Sequence, residues 1–321
     1  MKIFVDLEMT PAASAVLQQE TAGHELIFPA KPTASVLAKA EVDAAFGQAE
    51  IAFGQPDPSA IATAPQLKWI HISSSGFTRY DNPNFRSLMT ERRIPVTNSA
   101  SVYSEPCAVH ALSFMLAQAR NLPQGFQSRA ANGTNEWNQL RHTSTILKGE
   151  KVLILGYGAI GRRLTELLAP FDMKITGFRR KPRGDEGVAM VTETDLWPVL
   201  KEADHVIDIL PESAQTLHFF DETRFGAMKP GAVFYNIGRG KTVNKEALGQ
   251  ALRSGQLKSA WLDVTDPEPL PEDHPLLKLP NCFITPHTAG GHPDEALSLV
   301  RHFAGNFRRF LNQEPLQDRV I

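Results

Sequence analysis

Two domains of the α/β class, each built on a parallel sheet, are what three features of this sequence predict. Short apolar runs alternate with longer amphipathic stretches, the alternation occurs as two separate series, and 321 residues exceed the usual size of one domain. In the first series "KIFVD" (2–6), "ELIF" (25–28), "EIAFG" (50–54) and "LKWIHI" (67–72) read as strands. Helical stretches such as "TPAASAVLQQ" (10–19) and "TASVLAKAEV" (33–42) lie between them. The second series starts at "KVLILG" and continues through "KITGF", "HVIDIL", "AVFYNI", "SAWLDV" and "CFITPH". Between the series, residues 107–120 read as a mostly apolar helix ended by Pro123, and a helix apolar nearly all round is expected to be buried, between the domains. The polar segment from Gln124 to Lys148 reads as an extended arm or excursion. The chain closes with a helix over 293–311, whose apolar residues recur at helical spacing.

Composition narrows the classes of function. With 42% hydrophobic and 21% charged residues the chain has enough apolar material for sizeable cores. A net charge of −2 gives no bulk attraction to nucleic acid or to an anionic membrane. Cys107 and Cys282 stand far apart, so they offer neither a disulfide framework nor a metal site, and no metal is expected. Asp6 and Glu8 interrupt the N-terminal apolar stretch, which therefore does not read as a signal peptide. No apolar run is long enough to span a bilayer. The cytoplasm is the expected location.

"KVLILGYGAIGRRL" (151–164) carries Gly156, Gly158 and Gly161 between an apolar strand and a helix. In such a turn the first glycine permits the sharp strand-to-helix bend. The second lets a pyrophosphate approach the backbone, and the third lets helix and strand pack closely. The unpaired N–H groups and partial positive charge of the helix start then face the anion. The bland alternative is a purely structural glycine turn. At the end of the next strand, where an acid would accept from the ribose hydroxyls of NAD, the chain reads Phe178-Arg179-Arg180-Lys181. A guanidinium there suits a 2′-phosphate and so NADP(H). A solvated basic turn with NAD(H) as cofactor is the other possibility.

Reacting groups are expected at the carboxyl ends of the second series of strands. Three strand ends carry them: Arg239 after "AVFYNIG", the acids Asp263, Asp266 and Glu268 in "LDVTDPEPLP", and His287 in "CFITPHTAGG". Arginine can pin a carboxylate in bidentate fashion, and histidine can exchange a proton near neutrality while an acid holds it charged. Beside a nicotinamide this set would reduce a carbonyl flanked by a carboxylate. Singly, each residue reads as readily as a surface turn, a solvated acid or a structural histidine.

From about Leu67 onward the chain resembles the D-isomer-specific 2-hydroxyacid dehydrogenases, through "GYGAIGR", "LPESAQT", "MKPGAVFYNIGRGKTVNKEAL" and "ALRSGQLKSAWLDVTDPEPLPEDHPLLKLPNCFITPHTAG". The resemblance implies two flavodoxin- or Rossmann-like domains with a cleft between them. A substrate domain would comprise residues 1–98 and 290–321, a cofactor domain residues 99–289, and a homodimer would form through the cofactor domains. It further implies that Arg239 binds the substrate carboxylate, that His287 donates the proton and that Glu268 pairs with His287. The N–H groups of Ser75 and Gly76, in "SSSGF", would also bind the carboxylate. Cofactor contacts are implied at Gly156, Gly158, Ala159, Ile160, Gly161, Arg179, Arg180, Pro211, Thr216 and Gly238, with Asp263 at the nicotinamide carboxamide.

Departures from the family pattern are Phe77 and Thr78 after Gly76, Val109 in place of an acid, and His292 in "GGHPDEA", which reads either as a helix-start surface residue or as a group at the site entrance. The arginine pair resembles the NADPH-using branch, whose members commonly reduce glyoxylate and hydroxypyruvate. Alternatives are an NAD-dependent dehydrogenase of another 2-hydroxy acid, such as the phosphoglycerate type, and a nicotinamide-sensing binding protein with little turnover. A formate dehydrogenase is disfavoured, because the family pattern then has glutamine at position 268.

Overall fold

The computed structural model describes residues 1–33 and 42–321, so the helix expected over 33–42 falls almost wholly outside the described residues. The chain forms two compact units, one from Met1–Tyr103 with Gly291–Ile321 and one from Ser104–Gly290.

The first unit holds β1 (Lys2–Asp6), α1 (Pro11–Glu20), β2 (Glu25–Ile27), β3 (Ile51–Gly54), α2 (Pro58–Thr63), β4 (Trp69–Ile72), α3 (Pro83–Glu91) and β5 (Val96–Thr97), and the C-terminal helix Glu295–Leu311. Its five strands run parallel in the order β2-β1-β3-β4-β5. The three helices start alike: Thr10, Asp57 and Asn82 each accept a hydrogen bond from an early helical N–H, and a proline follows each cap. Such a cap satisfies an otherwise orphaned donor, and a proline there forfeits none. The C-terminal helix covers one face of the sheet, with Phe303 stacked 4.4 Å from Phe53 and 5.2 Å from Trp69.

The second unit begins with α4 (Ala100–Ala119), whose first residues fall within the first unit's span, then α5 (Leu122–Gln127) and α6 (Asn135–Thr143). Its sheet and helices follow as β6 (Lys151–Leu155), α7 (Ala159–Leu168), β7 (Lys174–Phe178), β8 (Ala189–Val191), α8 (Leu196–Glu202) and β9 (His205–Asp208). Then come α9 (Glu222–Ala227), β10 (Ala232–Asn236), α10 (Lys245–Arg253), β11 (Leu257–Leu262) and β12 (Cys282–Ile284). Seven parallel strands lie in the order β12-β11-β10-β9-β6-β7-β8. The order reverses between β6 and β9, which is where an open α/β sheet leaves a crevice at its carboxyl edge.

Two expectations for the region before β6 are corrected. The helix read over 107–120 starts at Ala100, contains Pro106 and ends at Ala119. Asn121 then turns left-handed at φ 50°, and Pro123 stands inside the next short helix instead of ending this one. Cys107, Ala108, Ala111, Phe114 and Met115 of α4 are buried while Val109 is 43% exposed, so within this chain the helix is not buried all round. The segment 124–148, read as an extended arm or excursion, is helical instead of extended and contains most of α5 and all of α6. Thr134 caps α6, and Arg141 lies 4.5 Å over the Trp137 ring.

Gly156 shows why the turn after β6 needs glycine. It sits at φ +83°, and a Cβ there would lie 2.5 Å from the carbonyl oxygen of Ile209. Both the left-handed backbone and the clash with a neighbouring strand end penalise any side chain. Gly156→Ala is expected to cost about 2–4 kcal/mol, read as a lowered urea midpoint at constant m-value.

Candidate active site

At the switch point α7 follows its N-cap residue Gly158, which gives no side-chain cap to the helix's first N–H groups. A Cβ on Gly158 would meet only a carbonyl oxygen at 3.8 Å, so the turn is open above that residue. Gly161 is closed in: a Cβ there would come within 3.2 Å of Ile154 and 3.3 Å of Tyr157. One glycine thus leaves room for a ligand and the other permits helix–strand packing. Ala159 is exposed and Ile160 half-buried at the helix start.

The basic loop after β7 has internal partners. Arg179 Nη1 lies 3.4 Å from Glu186 Oε1, and the buried Glu186 also accepts from the N–H groups of Arg183 at 2.6 Å and Gly184 at 2.8 Å. Arg180 donates to Gln215 Oε1, and Lys181 is exposed. Pro211 is exposed, and its carbonyl accepts from the Thr216 hydroxyl at 2.6 Å. Glu186 was not legible as part of this loop, since its contacts depend on a turn without regular structure.

Three strand ends of the second unit bring charged groups together. His287 Nδ1 lies 2.8 Å from Glu268 Oε2, while Glu268 Oε1 accepts from the Thr265 N–H at 2.9 Å. Burial pushes the Glu268 carboxyl up, but the bonds from His287 and Thr265 and the charge of Arg239 outweigh it and hold the carboxyl below its ordinary value. His287 itself sits at φ +53°, a backbone conformation rare for a residue with a Cβ. Its N–H donates to the carbonyls of Asp263 at 2.9 Å and Thr285 at 3.0 Å. Asp263, 2% exposed, anchors the same turn through its carboxylate, which accepts from the Thr285 hydroxyl (2.6 Å) and the N–H groups of Thr288 and Ala289 (2.9 Å each). The strained position is therefore over-determined by its surroundings, and the imidazole Nε2 has no partner among the described residues.

Arg239 follows β10, and its Nη1 donates to the Gly238 carbonyl at 2.6 Å. The turn is pinned from below: Asn236 accepts from the Gly238 N–H at 2.9 Å and donates to the Arg239 carbonyl at 3.1 Å. Thr242 Oγ1 lies 2.7 Å from that carbonyl and 2.5 Å from Asp208 Oδ2. Neither Asp208, Thr242 nor Asn236 was singled out from the sequence; the one available signal is an acid ending the otherwise apolar run "HVID".

In the first unit Ser75 and Gly76 follow β4. Asn98 Nδ2 donates to the Ser75 carbonyl and the Ser74 hydroxyl to that of Gly76, each at 2.6 Å. Their own N–H groups have no acceptor among the described residues. Phe77 packs against this unit's core with Arg86 5.3 Å over its ring, and Thr78 is exposed. His292 lies just before the cap residue Asp294 of the C-terminal helix. No cluster of metal-ligating side chains occurs among the described residues.

The family description "D-isomer specific 2-hydroxyacid dehydrogenase, NAD binding domain" matches residues 112–289. The chain is 35% identical to a glyoxylate reductase of Thermofilum pendens over 73% of its own length and 68% of the relative's. It is also 35% identical to the glyoxylate reductase/hydroxypyruvate reductase of Homo sapiens, over 72% and 71% of the two chains. In these and two further curated relatives the matched stretch spans 61–71% of the relative's length. A solved structure of a probable 2-hydroxyacid dehydrogenase from Rhizobium etli, in complex with NADP, HEPES and L(+)-tartaric acid, superposes with a TM-score of 0.75. That similarity covers 100% of this chain and 98% of the other at 25% identity. The chain belongs to the D-isomer-specific 2-hydroxyacid dehydrogenase family.

Proposed function

We propose that the protein reduces a small 2-oxo acid of the glyoxylate or hydroxypyruvate type, with NADP(H) preferred over NAD(H). The observation that carries this reading is the Glu268–His287 pair, whose outward imidazole nitrogen is unpartnered and whose carboxylate is influenced by Arg239. The Gly156–Gly161 turn and the start of α7 would hold the cofactor's pyrophosphate, and the open space above Gly158 fits that group. When bound, the dihydronicotinamide supplies a hydride to the carbonyl carbon. Arg239 binds the substrate carboxylate through its Nε and Nη2, for which no partner stands among the described residues, and it orients the neighbouring carbonyl. His287 delivers a proton from Nε2 to the carbonyl oxygen as negative charge develops there, and Glu268 holds the imidazole in orientation from Nδ1. The N–H groups of Ser75 and Gly76, which have no acceptor among the described residues, could also take a carboxylate.

NADP(H) preference rests on Arg179, Arg180 and Lys181 standing where an acid would repel a 2′-phosphate, and on the NADP bound to the Rhizobium etli relative. A homodimer through the second unit would cover Val109, Leu122, Phe126 and Ile146, apolar side chains exposed in and around α4–α6. Light scattering reads that assembly directly. A cytoplasmic setting suits two cysteines that form no disulfide, and burial pushes the Cys282 thiol up to about 12. No helix among the described residues is long and apolar enough to cross a membrane.

Initial rates with glyoxylate, hydroxypyruvate and pyruvate, each with NADPH and with NADH, test the assignment. Turnover of the first two with a strong NADPH preference is expected. Turnover with NADH alone would contradict the arginine reading, and tight cofactor binding without turnover would favour a nicotinamide-sensing binding protein.

A pH signature follows from the pair. Glu268 is ionised at and above neutrality because its carboxyl is held low, and in that form it accepts from His287 Nδ1 and orients the ring. Glu268→Gln removes that charge. The acid-side fall of the reduction rate, where the native Glu268 carboxyl takes up a proton, is expected to be absent from the variant, measured as kcat/KM against pH. An unmoved profile would exclude the assigned partnership.

A further inference from the structure

Asp208 ends β9 beneath the Arg239 turn and is fully buried. Three oxygens run in a line from it: Asp208 Oδ2, Thr242 Oγ1 at 2.5 Å, and the Arg239 carbonyl oxygen at 2.7 Å from Thr242 Oγ1. Each gap is a hydrogen-bond distance, and each is best filled by its own proton, since one hydroxyl hydrogen shared between two acceptors serves both poorly. The threonine hydroxyl carries one proton and the carbonyl carries none. The second must come from the carboxyl group. An ionised Asp208 would claim the Thr242 proton and leave two lone-pair-bearing oxygens facing each other at 2.7 Å.

We propose that Asp208 is a positioning residue that acts as the neutral acid. It donates to Thr242 Oγ1, which donates in turn to the Arg239 carbonyl, and this chain sets the turn from which Arg239 projects. The role rests on the reading of Arg239 as the substrate anchor.

The surroundings favour the neutral form. Asp208 Oδ1 accepts from the Leu210 N–H at 2.9 Å, which fills the acceptor side of the acid. Charged and titratable groups on the elements around it are engaged elsewhere. Arg239 donates to Gly238, Lys241 pairs with Glu212 at 2.7 Å, and the Tyr157 hydroxyl bonds Thr165 and the Glu186 carbonyl. Asp263, on the far side of β10, is held by Thr285, Thr288 and Ala289. Among the described residues no cation pairs with Asp208. Burial accordingly pushes its carboxyl up to about 7, against the opposing bonds from Thr242 and Leu210. Because the folded value is raised, the stabilised state is the protonated one. It is fully present at acid pH and is lost as pH rises through the neutral range.

Two variants separate this from a merely structural role. Asp208→Asn keeps a donor towards Thr242 and an acceptor towards Leu210 but cannot ionise. Thr242→Val keeps the acid and breaks the chain. In infrared difference spectra of the full chain between about pH 6 and pH 8.5, the native protein is expected to lose a protonated-carboxyl band that D208N lacks and T242V retains. Over the same range the native KM for glyoxylate with NADPH is expected to rise about 3- to 10-fold beyond that of D208N, as one hydrogen bond is lost. D208N is expected to stay at the low, acid-side KM and T242V at the high one throughout. Absence of an Asp208-dependent band, or a KM rise that persists in D208N, would overturn the proposal. A band without turnover of any 2-oxo acid would contradict the functional reading and leave the protonated acid standing.

Discussion

His287→Ala is expected to lower kcat for glyoxylate reduction about 10²–10⁴-fold while leaving NADPH affinity within about twofold. The reasoning is local. Nδ1 is committed to Glu268 and Nε2 has no partner among the described residues, so the ring can deliver a proton from one side while the other is fixed. The turn that carries it is held by Asp263 and by backbone bonds from residues 287–289, not by the imidazole. Removing the ring therefore removes proton delivery without dismantling the turn. Single-turnover kinetics with NADPH in excess would read the chemical step alone. A loss confined to KM would mean that His287 binds substrate and does not donate to it.

Arg239→Lys is expected to lower kcat/KM for 2-oxo acids about 10- to 100-fold, the value of a charge-assisted pair of hydrogen bonds. Lysine keeps the charge but not the planar fork, so the loss isolates bidentate geometry. Arg239 is well suited to the test because the protein fixes its backbone through Asn236 and Thr242, and among the described residues its side chain bonds only through Nη1, to the adjacent Gly238 carbonyl. The substitution should leave cofactor binding unaltered, since the pyrophosphate turn lies after a different strand. Unchanged kcat/KM with glyoxylate would remove Arg239 from the substrate site.

Much of this was legible because strand–helix alternation is a local signal. The runs at 2–6, 151–155 and 174–178 coincide with β1, β6 and β7, since each is a short apolar block bounded by turn residues. What escaped was short, polar or built across the chain. Strand β8 (Ala189–Val191) has three residues and follows a glycine- and charge-rich loop, which hides its pattern. The first turns of α4 are polar and precede Pro106, so its true start at Ala100 carried no apolar period. Pairing of Glu268 with His287 was readable as a family motif, whereas the Asp208–Thr242 contact joins residues 34 apart through a buried turn. A lone acid at a strand end carries no mark of being buried until its neighbours are placed around it.

The most direct test of the central claim is to supply NADPH deuterated at C4 together with hydroxypyruvate and to analyse the product by mass spectrometry. The account predicts glycerate carrying one deuterium at C2, formed by the native protein and slowed by orders of magnitude in His287→Ala. Tight binding of the labelled cofactor with no deuterium reaching C2 would contradict it.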